Sequence, residues 1–157
     1  MLFTGSSEHT IDSKLRLAVP AKYRKDWSRE RDGEAWYCFP WPTGQLRLYT
    51  EGLFVQLAQP KDEVSRLATD ADLALLKSRL FGLTERLEMD SAGRIQIPKL
   101  HAEMIGLAGA GSEVAVVGAG DRLEVWDRAR WSAKLKADFE GLPELTAKVQ
   151  AKGLRTF

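Results

Sequence analysis

The chain repeats itself, and that repeat constrains its fold more than any other feature. Ile11-Asp12-Ser13-Lys14-Leu15-Arg16-Leu17-Ala18-Val19-Pro20 aligns without a gap on Met89-Asp90-Ser91-Ala92-Gly93-Arg94-Ile95-Gln96-Ile97-Pro98. Both stretches read apolar-Asp-Ser-x-x-Arg-apolar-x-apolar-Pro. The offset from Asp12 to Asp90 is 78 positions, almost half of the 157 residues. A second echo keeps the same order: Leu46-Arg47-Leu48-Tyr49 resembles Leu123-Glu124-Val125-Trp126 at an offset of 77. Two matches nearly in register point to duplication. Two copies of this length are too few for a solenoid, so two pseudo-symmetric halves are expected.

Each half then parses in the same way. Leu15, Leu17 and Val19 alternate in the first copy; Leu87 and Met89, then Ile95 and Ile97, alternate in the second. With Ser91-Ala92-Gly93 between them, this predicts a hairpin buried on one face. Pro20 and Pro98 are placed to open short helices, where the missing N–H costs nothing. Tyr23 and Trp27, and likewise Leu100 and Met104, stand one helical turn apart, with Gly106 positioned as a stop. A buried strand is expected at residues 36–39 and 114–117, and a final strand at 46–49 and 123–126. The predicted unit is β-β-α-β-β, twice. Between the units, Pro60-Lys61-Asp62-Glu63 reads as an acidic helix start, with Val64, Leu67, Ala68, Ala71 and Leu75 as its apolar stripe before Gly82. Asp127 is a candidate N-cap for a last helix carrying Trp131, Leu135 and Phe139. From about Leu142 to Phe157 the stripe is weak, and the segment is expected to be loosely held. The chain divides accordingly into a first repeat (1–53), a connecting helical segment (54–82), a second repeat (83–128) and a C-terminal helix and tail (129–157).

Composition narrows the function classes. Hydrophobic and charged fractions of 44% and 29% are ordinary for a globular chain. No apolar run approaches the roughly 20 residues of a membrane span, and Met1-Leu2-Phe3-Thr4-Gly5 lacks a basic stretch followed by an apolar one. A cytoplasmic protein is expected. The single cysteine, Cys38, cannot form an internal disulfide and sits among aromatics as a small buried hydrophobe. His9 and His101 have no metal-like spacing with it. There is no G-x-x-x-x-G-K-[ST], and the glycines at 106, 109, 111, 118 and 120 do not form G-x-G-x-x-G. Glu85 with Glu88, and Asp70 with Asp72, read as solvated faces. The pattern predicts no enzyme, no cofactor and no metal.

What remains is the duplicated Asp–x–x–x–Arg. An aspartate at such a turn accepts backbone N–H bonds, and a guanidinium fork suits phosphate oxygens or guanine edges. With 23 Lys+Arg against 22 Asp+Glu, the formal net charge is only +1, so any acidic polymer must be met by a local patch. Residues 12–31 carry a net charge of +4 and residues 90–107 a net charge of zero, which makes the first repeat the stronger electrostatic footprint. A patch this small would need several copies in one assembly to bind nucleic acid usefully.

The two Asp–Ser–x–x–Arg–apolar–x–apolar–Pro stretches, each followed by an aromatic-ended strand, resemble the paired motifs of the MraZ family of bacterial transcriptional regulators, which have tandem AbrB/SpoVT-like domains. The resemblance covers roughly residues 1 to 140. It implies an α+β, mostly β fold in which two AbrB-like swapped-hairpin halves form one β-barrel, and a ring-shaped homo-oligomer associated with the nucleoid. It further implies binding to short direct repeats of double-stranded DNA in the promoter of the division and cell-wall gene cluster. On that pattern Arg16 and Arg94 contact DNA, with Asp12 and Asp90 as their supports; Lys14 and Lys22 would add phosphate contacts. The first copy departs from the family's glycine before the arginine, having Leu15 where the second has Gly93. A leucine forced to positive φ costs about 1–2 kcal/mol. The rival reading is an AbrB-like oligomeric protein-interaction module with weakened or lost DNA binding; a small-barrel enzyme is a second rival.

Overall fold

The computed structural model describes residues 1–59 and 70–157. The first half runs β1 (Ser6–Thr10), β2 (Arg16–Ala18), α1 (Ala21–Arg24), α2 (Arg29–Asp32), β3 (Ala35–Trp41) and β4 (Gln45–Thr50). Two helices follow, α3 (Glu51–Ala58) and α4 (Ala71–Leu83). The second half repeats the order with β5 (Glu85–Glu88), β6 (Arg94–Gln96), α5 (Lys99–Met104), β7 (Glu113–Gly118) and β8 (Leu123–Asp127), and α6 (Arg128–Ala151) closes the chain. The duplicated unit is therefore present, with α2 added in the first half. Its fold is α+β around a large antiparallel sheet, although helices hold more of the described residues than strands do, so "mostly β" is corrected.

The halves build one core by exchanging strands. The large sheet has the order β1-β7-β8-β4-β3-β5, and β2 pairs with β6 in a separate two-stranded ribbon. Thus β1 of the first half lies against β7 of the second, and β5 of the second against β3 of the first. In the ribbon Leu17 faces Ile95; in the sheet Arg47 faces Glu124. Each is a pair of repeat-equivalent residues, so one pseudo-two-fold axis passes through the ribbon and through the β4–β8 pair. The inward faces of ribbon and sheet supply one apolar cluster, including Ile11, Leu17, Trp36, Cys38, Leu46, Leu48, Ile95, Val116 and Val125. Tyr23 and His101, also equivalent, do parallel work at its edge. The Tyr23 hydroxyl donates to the Thr4 carbonyl at 2.7 Å, and His101 Nε2 lies 2.7 Å from the Leu83 carbonyl oxygen.

Two expectations about the sheet are overturned. The predicted hairpin does not zip up, because β5 pairs with β3 and β6 with β2, not with each other. The turn between them closes on a single backbone pair, Asp90 and Arg94, after which the arms diverge. Nor do the strands close into a barrel. β1 and β5 remain the edges of the large sheet, and the ribbon spans the gap between them without entering the ladder.

The helices differ from the periodicity in informative ways. Pro60-Lys61-Asp62-Glu63, Val64, Leu67 and Ala68 lie outside the described residues. In α4 the expected stripe residues Ala71 and Leu75 are exposed; Leu73, Leu76, Leu80 and Phe81 instead line a groove against α3. In α5, Leu100 and Met104 point to solvent, while His101 and Ala102, with Ile105 at the C-cap, turn inward. Helix α1 ends at Arg24, so Trp27 reaches the core from the following turn, its ring 5.0 Å from that of Trp36. Asp127 does cap α6, accepting from the Arg130 N–H. The helix then continues through Pro143 to Ala151, further than expected, on residues of high helix propensity. None of its residues is buried.

Candidate nucleic-acid interface

The two repeated motifs form two turns of the same shape. At the first, Asp12 Oδ1 accepts the backbone N–H groups of Lys14 and Arg16, both at 2.9 Å, and Oδ2 accepts Arg16 Nε–H at 2.7 Å. At the second, Asp90 Oδ1 accepts from Ala92 and Arg94, both at 2.9 Å, and Oδ2 accepts Arg94 Nε–H at 2.8 Å. The turns are closed by Asp12 N–H to the Arg16 carbonyl (3.1 Å) and by Asp90 N–H to the Arg94 carbonyl (2.9 Å). These bonds stabilise the ionised carboxylate, so both aspartates are held below the usual carboxylate pKa, the Arg backbone N–H contributing most.

Each bracket leaves its arginine oriented. The carboxylate takes the Nε edge, and among the described residues no protein atom hydrogen-bonds the two terminal nitrogens of either guanidinium. The ribbon register places Arg16 opposite Gln96 and Arg94 opposite Ala18. Leu17 and Ile95 point into the core, so the two arginines, Ala18 and Gln96 share the outward face. Diagonal neighbours on such a ribbon stand about 7–8 Å apart. The side chains of Arg16 and Arg94 are 29% and 36% exposed, enough for their forks to meet a ligand.

The turn geometry decides the Leu15 question. Gly93 has φ 75°, and Leu15, at φ 58°, is the only non-glycine residue with positive φ among the described residues. Leu15 adopts the glycine-like shape under strain rather than a different turn. Its side chain packs partly against the core and lines an open depression of about 630 Å³ with Leu87, Ile97, Pro98 and Lys99, which offsets part of the strain. Arg16 consequently has the same bond set as Arg94.

The remaining nominated cations separate. Lys14 sits exposed at the tip of the first turn. The Lys22 ammonium lies over the Tyr23 ring, 4.7 Å from its centroid, near Gly5 and His9; this is the start of β1 and not the ribbon. Sequence reasoning counted Arg24 only toward the charge of the first repeat. Its guanidinium, from the first half, covers Gly93 of the second, so the neutral surroundings expected for Arg94 are corrected. Lys99, at the start of α5, lines the same depression as Leu15. Charge counted along the chain missed both placements because the strands cross between halves.

Residues 80–148 match the family model "MraZ protein, putative antitoxin-like". Over longer stretches the chain is similar to proteins named Transcriptional regulator MraZ. One, from Stenotrophomonas maltophilia (strain R551-3), is 32% identical over 126 residues, covering 80% of this chain and 82% of the relative. Another, from Nitrosomonas europaea, is 31% identical over 134 residues, covering 85% and 86%. A third, from Chlorobaculum parvum (strain DSM 263), is 30% identical over 148 residues, covering 88% and 87%. The chain belongs to the MraZ family.

The resemblance drawn from the two motifs is thereby established, and the MraZ family model itself spans the second of them. Against that background the other clusters are structural. Cys38 Sγ lies 3.6 Å from His101 Nδ1. Since His101 Nε2–H donates to the Leu83 carbonyl, Nδ1 is the acceptor and the thiol the donor. Burial pushes the Cys38 thiol up and the His101 imidazole down, leaving both neutral. A fully buried neutral thiol is no nucleophile. The pair was invisible beforehand because its members lie 63 residues apart. Glu85 and Glu88 stand on edge strand β5, while Asp70 caps α4. Among the described residues no group of three or more His, Cys, Asp or Glu could hold a metal ion, and no helix is long and apolar enough to cross a membrane.

Proposed function

We propose that this protein is a sequence-specific DNA-binding transcriptional regulator that meets double-stranded DNA with the outward face of the β2–β6 ribbon. One observation carries the reading: two guanidiniums, each bracketed through Nε by its own aspartate, present free terminal nitrogens on one face of a two-stranded ribbon. The major groove, about 12 Å wide, admits such a ribbon, and an arginine fork pairs with guanine O6 and N7. Asp12 and Asp90 position Arg16 and Arg94, and Lys14 adds a phosphate contact. Lys22 serves only a DNA path that extends past the start of β1. The relatives' name, transcriptional regulator, supports this class.

The finer terms of the proposal are action on the promoter of the division and cell-wall gene cluster through short direct repeats, in the cytoplasm at the nucleoid, by a ring-shaped homo-oligomer of swapped-hairpin repeats. The strand exchange between halves supports the swapped arrangement. Two unpartnered apolar surfaces support self-association. Trp131 packs on Trp126, but Leu135, Phe139, Leu142 and Leu145 of α6 are at least half exposed, and Leu57, Leu73 and Leu76 open the α3–α4 groove. Most of a helix's stability in a protein comes from packing its apolar face, and this face of α6 is unpacked. Weak ribbon sites repeated around a ring then gain affinity by multivalency. The interaction-module rival rested on Leu15 and on the near-neutral net charge of +1; the shared turn geometry removes the first of these supports.

The test is a titration of the parent and the Arg16→Ala/Arg94→Ala variant against DNA from upstream of the protein's own gene, at about 50 and about 200 mM salt. The parent should bind, with affinity falling steeply as salt rises; the variant should lose most of that binding while keeping its fold. Equal binding by both would remove the ribbon as the DNA surface and put the interaction module first.

A further inference from the structure

We infer that Arg24 is a third DNA-contacting guanidinium, belonging to the Asp90–Arg94 turn although it comes from the other half; the inference rests on the DNA-binding reading above. Arg24 ends α1, and its Nε–H donates to the Val19 carbonyl at 2.8 Å. The Val19 N–H in turn donates to the Gly93 carbonyl at 3.0 Å. The guanidinium therefore lies on the backbone of the second turn: a Cβ added at residue 93 would come within 2.5 Å of Arg24 Cζ and 2.6 Å of Nε and Nη1. Glycine at 93 has two reasons to be there, its positive φ and the arginine seated over it.

The other turn shows what happens without that arginine. By the 78-residue offset, Leu15 corresponds to Gly93, Ile97 to Val19 and Ala102 to Arg24. The backbone tie persists, Ile97 N–H to the Leu15 carbonyl at 2.8 Å. Ala102, however, is buried and has no side chain to lay over the turn. The space is open to a leucine, and a leucine is present. Glycine goes with arginine at one turn, leucine with alanine at the other. Gly93 makes room for the guanidinium, and the guanidinium is free to act: among the described residues Arg24 has no carboxylate partner, and its terminal nitrogens bond no protein atom. Arg94 follows Gly93 directly, the Cα atoms of these two consecutive residues standing about 3.8 Å apart. A second fork, anchored to backbone beside a base-reading one, is placed to take a phosphate oxygen. The first turn draws its extra charge from Lys14 at the tip, whose counterpart is Ala92. The two turns thus grip the phosphate chain differently.

The experiment compares the parent, Arg24→Gln, Arg24→Lys and Arg16→Ala/Arg94→Ala on upstream double-stranded DNA across a salt series, with melting temperatures recorded in parallel. Glutamine keeps a donor for the Val19 carbonyl but not the charge. Arg24→Gln should lower the slope of log affinity against log salt by roughly one for each site engaged, with an unchanged melting temperature, and Arg24→Lys should restore most of the slope. A parental slope in Arg24→Gln, while the double variant loses binding, overturns the inference and spares the DNA-binding reading. Slope loss that tracks a fall in melting temperature also overturns it, since Arg24 would then only clip the ribbon. Parental binding by the double variant overturns both.

Discussion

The two Asp–Arg turns share every backbone and carboxylate hydrogen bond, yet they differ in what occupies the apex. Gly93 is buried beneath Arg24; Leu15 is strained and anchored on apolar surface of the other half. The comparison separates what a turn of this kind requires from what it tolerates. The aspartate and its arginine are needed twice, because without the carboxylate nothing orients the fork. The glycine is needed only where a guanidinium must lie on it. At the other apex, packing around Leu15 offsets an αL cost of about 1–2 kcal/mol.

The largest expected effect tests the symmetry itself. Leu17 and Ile95 face each other on the pseudo-two-fold axis, each 1% exposed. Leu17→Ala and Ile95→Ala should each destabilise the protein by about 2–5 kcal/mol and to a similar degree, as measured by urea denaturation. A large gap between them would mean that the halves do not share the core evenly. Next come the arginines taken singly. Arg16→Ala and Arg94→Ala should each cost about 1–3 kcal/mol of promoter affinity and leave the denaturation midpoint in place; a midpoint shift would recast them as structural.

Smaller effects sharpen the apex comparison. Gly93→Ala should destabilise by about 1–2 kcal/mol and disturb Arg24. Leu15→Gly relieves strain but gives up apolar contact and roughly 0.5–1 kcal/mol of chain entropy, so its stability should stay close to the parent's. If Leu15→Gly raises stability sharply, the packing of Leu15 offsets less than the geometry suggests. The smallest effect separates the equivalent positions Tyr23 and His101. Burial lowers the His101 pKa from its ordinary 6.5, so the unfolded chain takes up that proton first. Its contribution is present above pH 6.5 and is lost as pH falls through the lowered value. Urea midpoints should decline from about pH 7 to about pH 5, and His101→Gln should flatten that decline; a parental pH profile in the variant would sink the assignment.

Much of this was readable in advance. The duplication and the period-2 runs of Leu15, Leu17 and Val19 and of Ile95 and Ile97 placed the strands, and the paired motifs placed both turns. Strand partners were less accessible. Leu87 and Met89 followed by Ile95 and Ile97 look like a hairpin whether the arms pair with each other or with another half, because alternation reports which face is buried and not which edge is bonded. Helix faces failed for a similar reason: Leu100 and Met104 satisfy helical spacing, but His101, Ala102 and Ile105 meet the core. Of the proposed site, Asp12, Arg16, Asp90 and Arg94 were legible; the placement of Arg24 was not, since nothing local to Ala21–Arg24 announces Gly93.

The amino-acid sequence by itself determined the duplicated unit and the two aspartate-closed turns, while the positive φ of Leu15 came only with the structure. The turns rest on local hydrogen bonding and sterics, which act over a few residues. Only the tertiary structure decided that the halves exchange strands, that the sheet stays open with the ribbon spanning its edges, and that Arg24 of one half lies on the turn of the other. Those outcomes depend on contacts between segments roughly 50 to 110 residues apart, whose partners are selected by packing one shared core and not by any pattern along the chain.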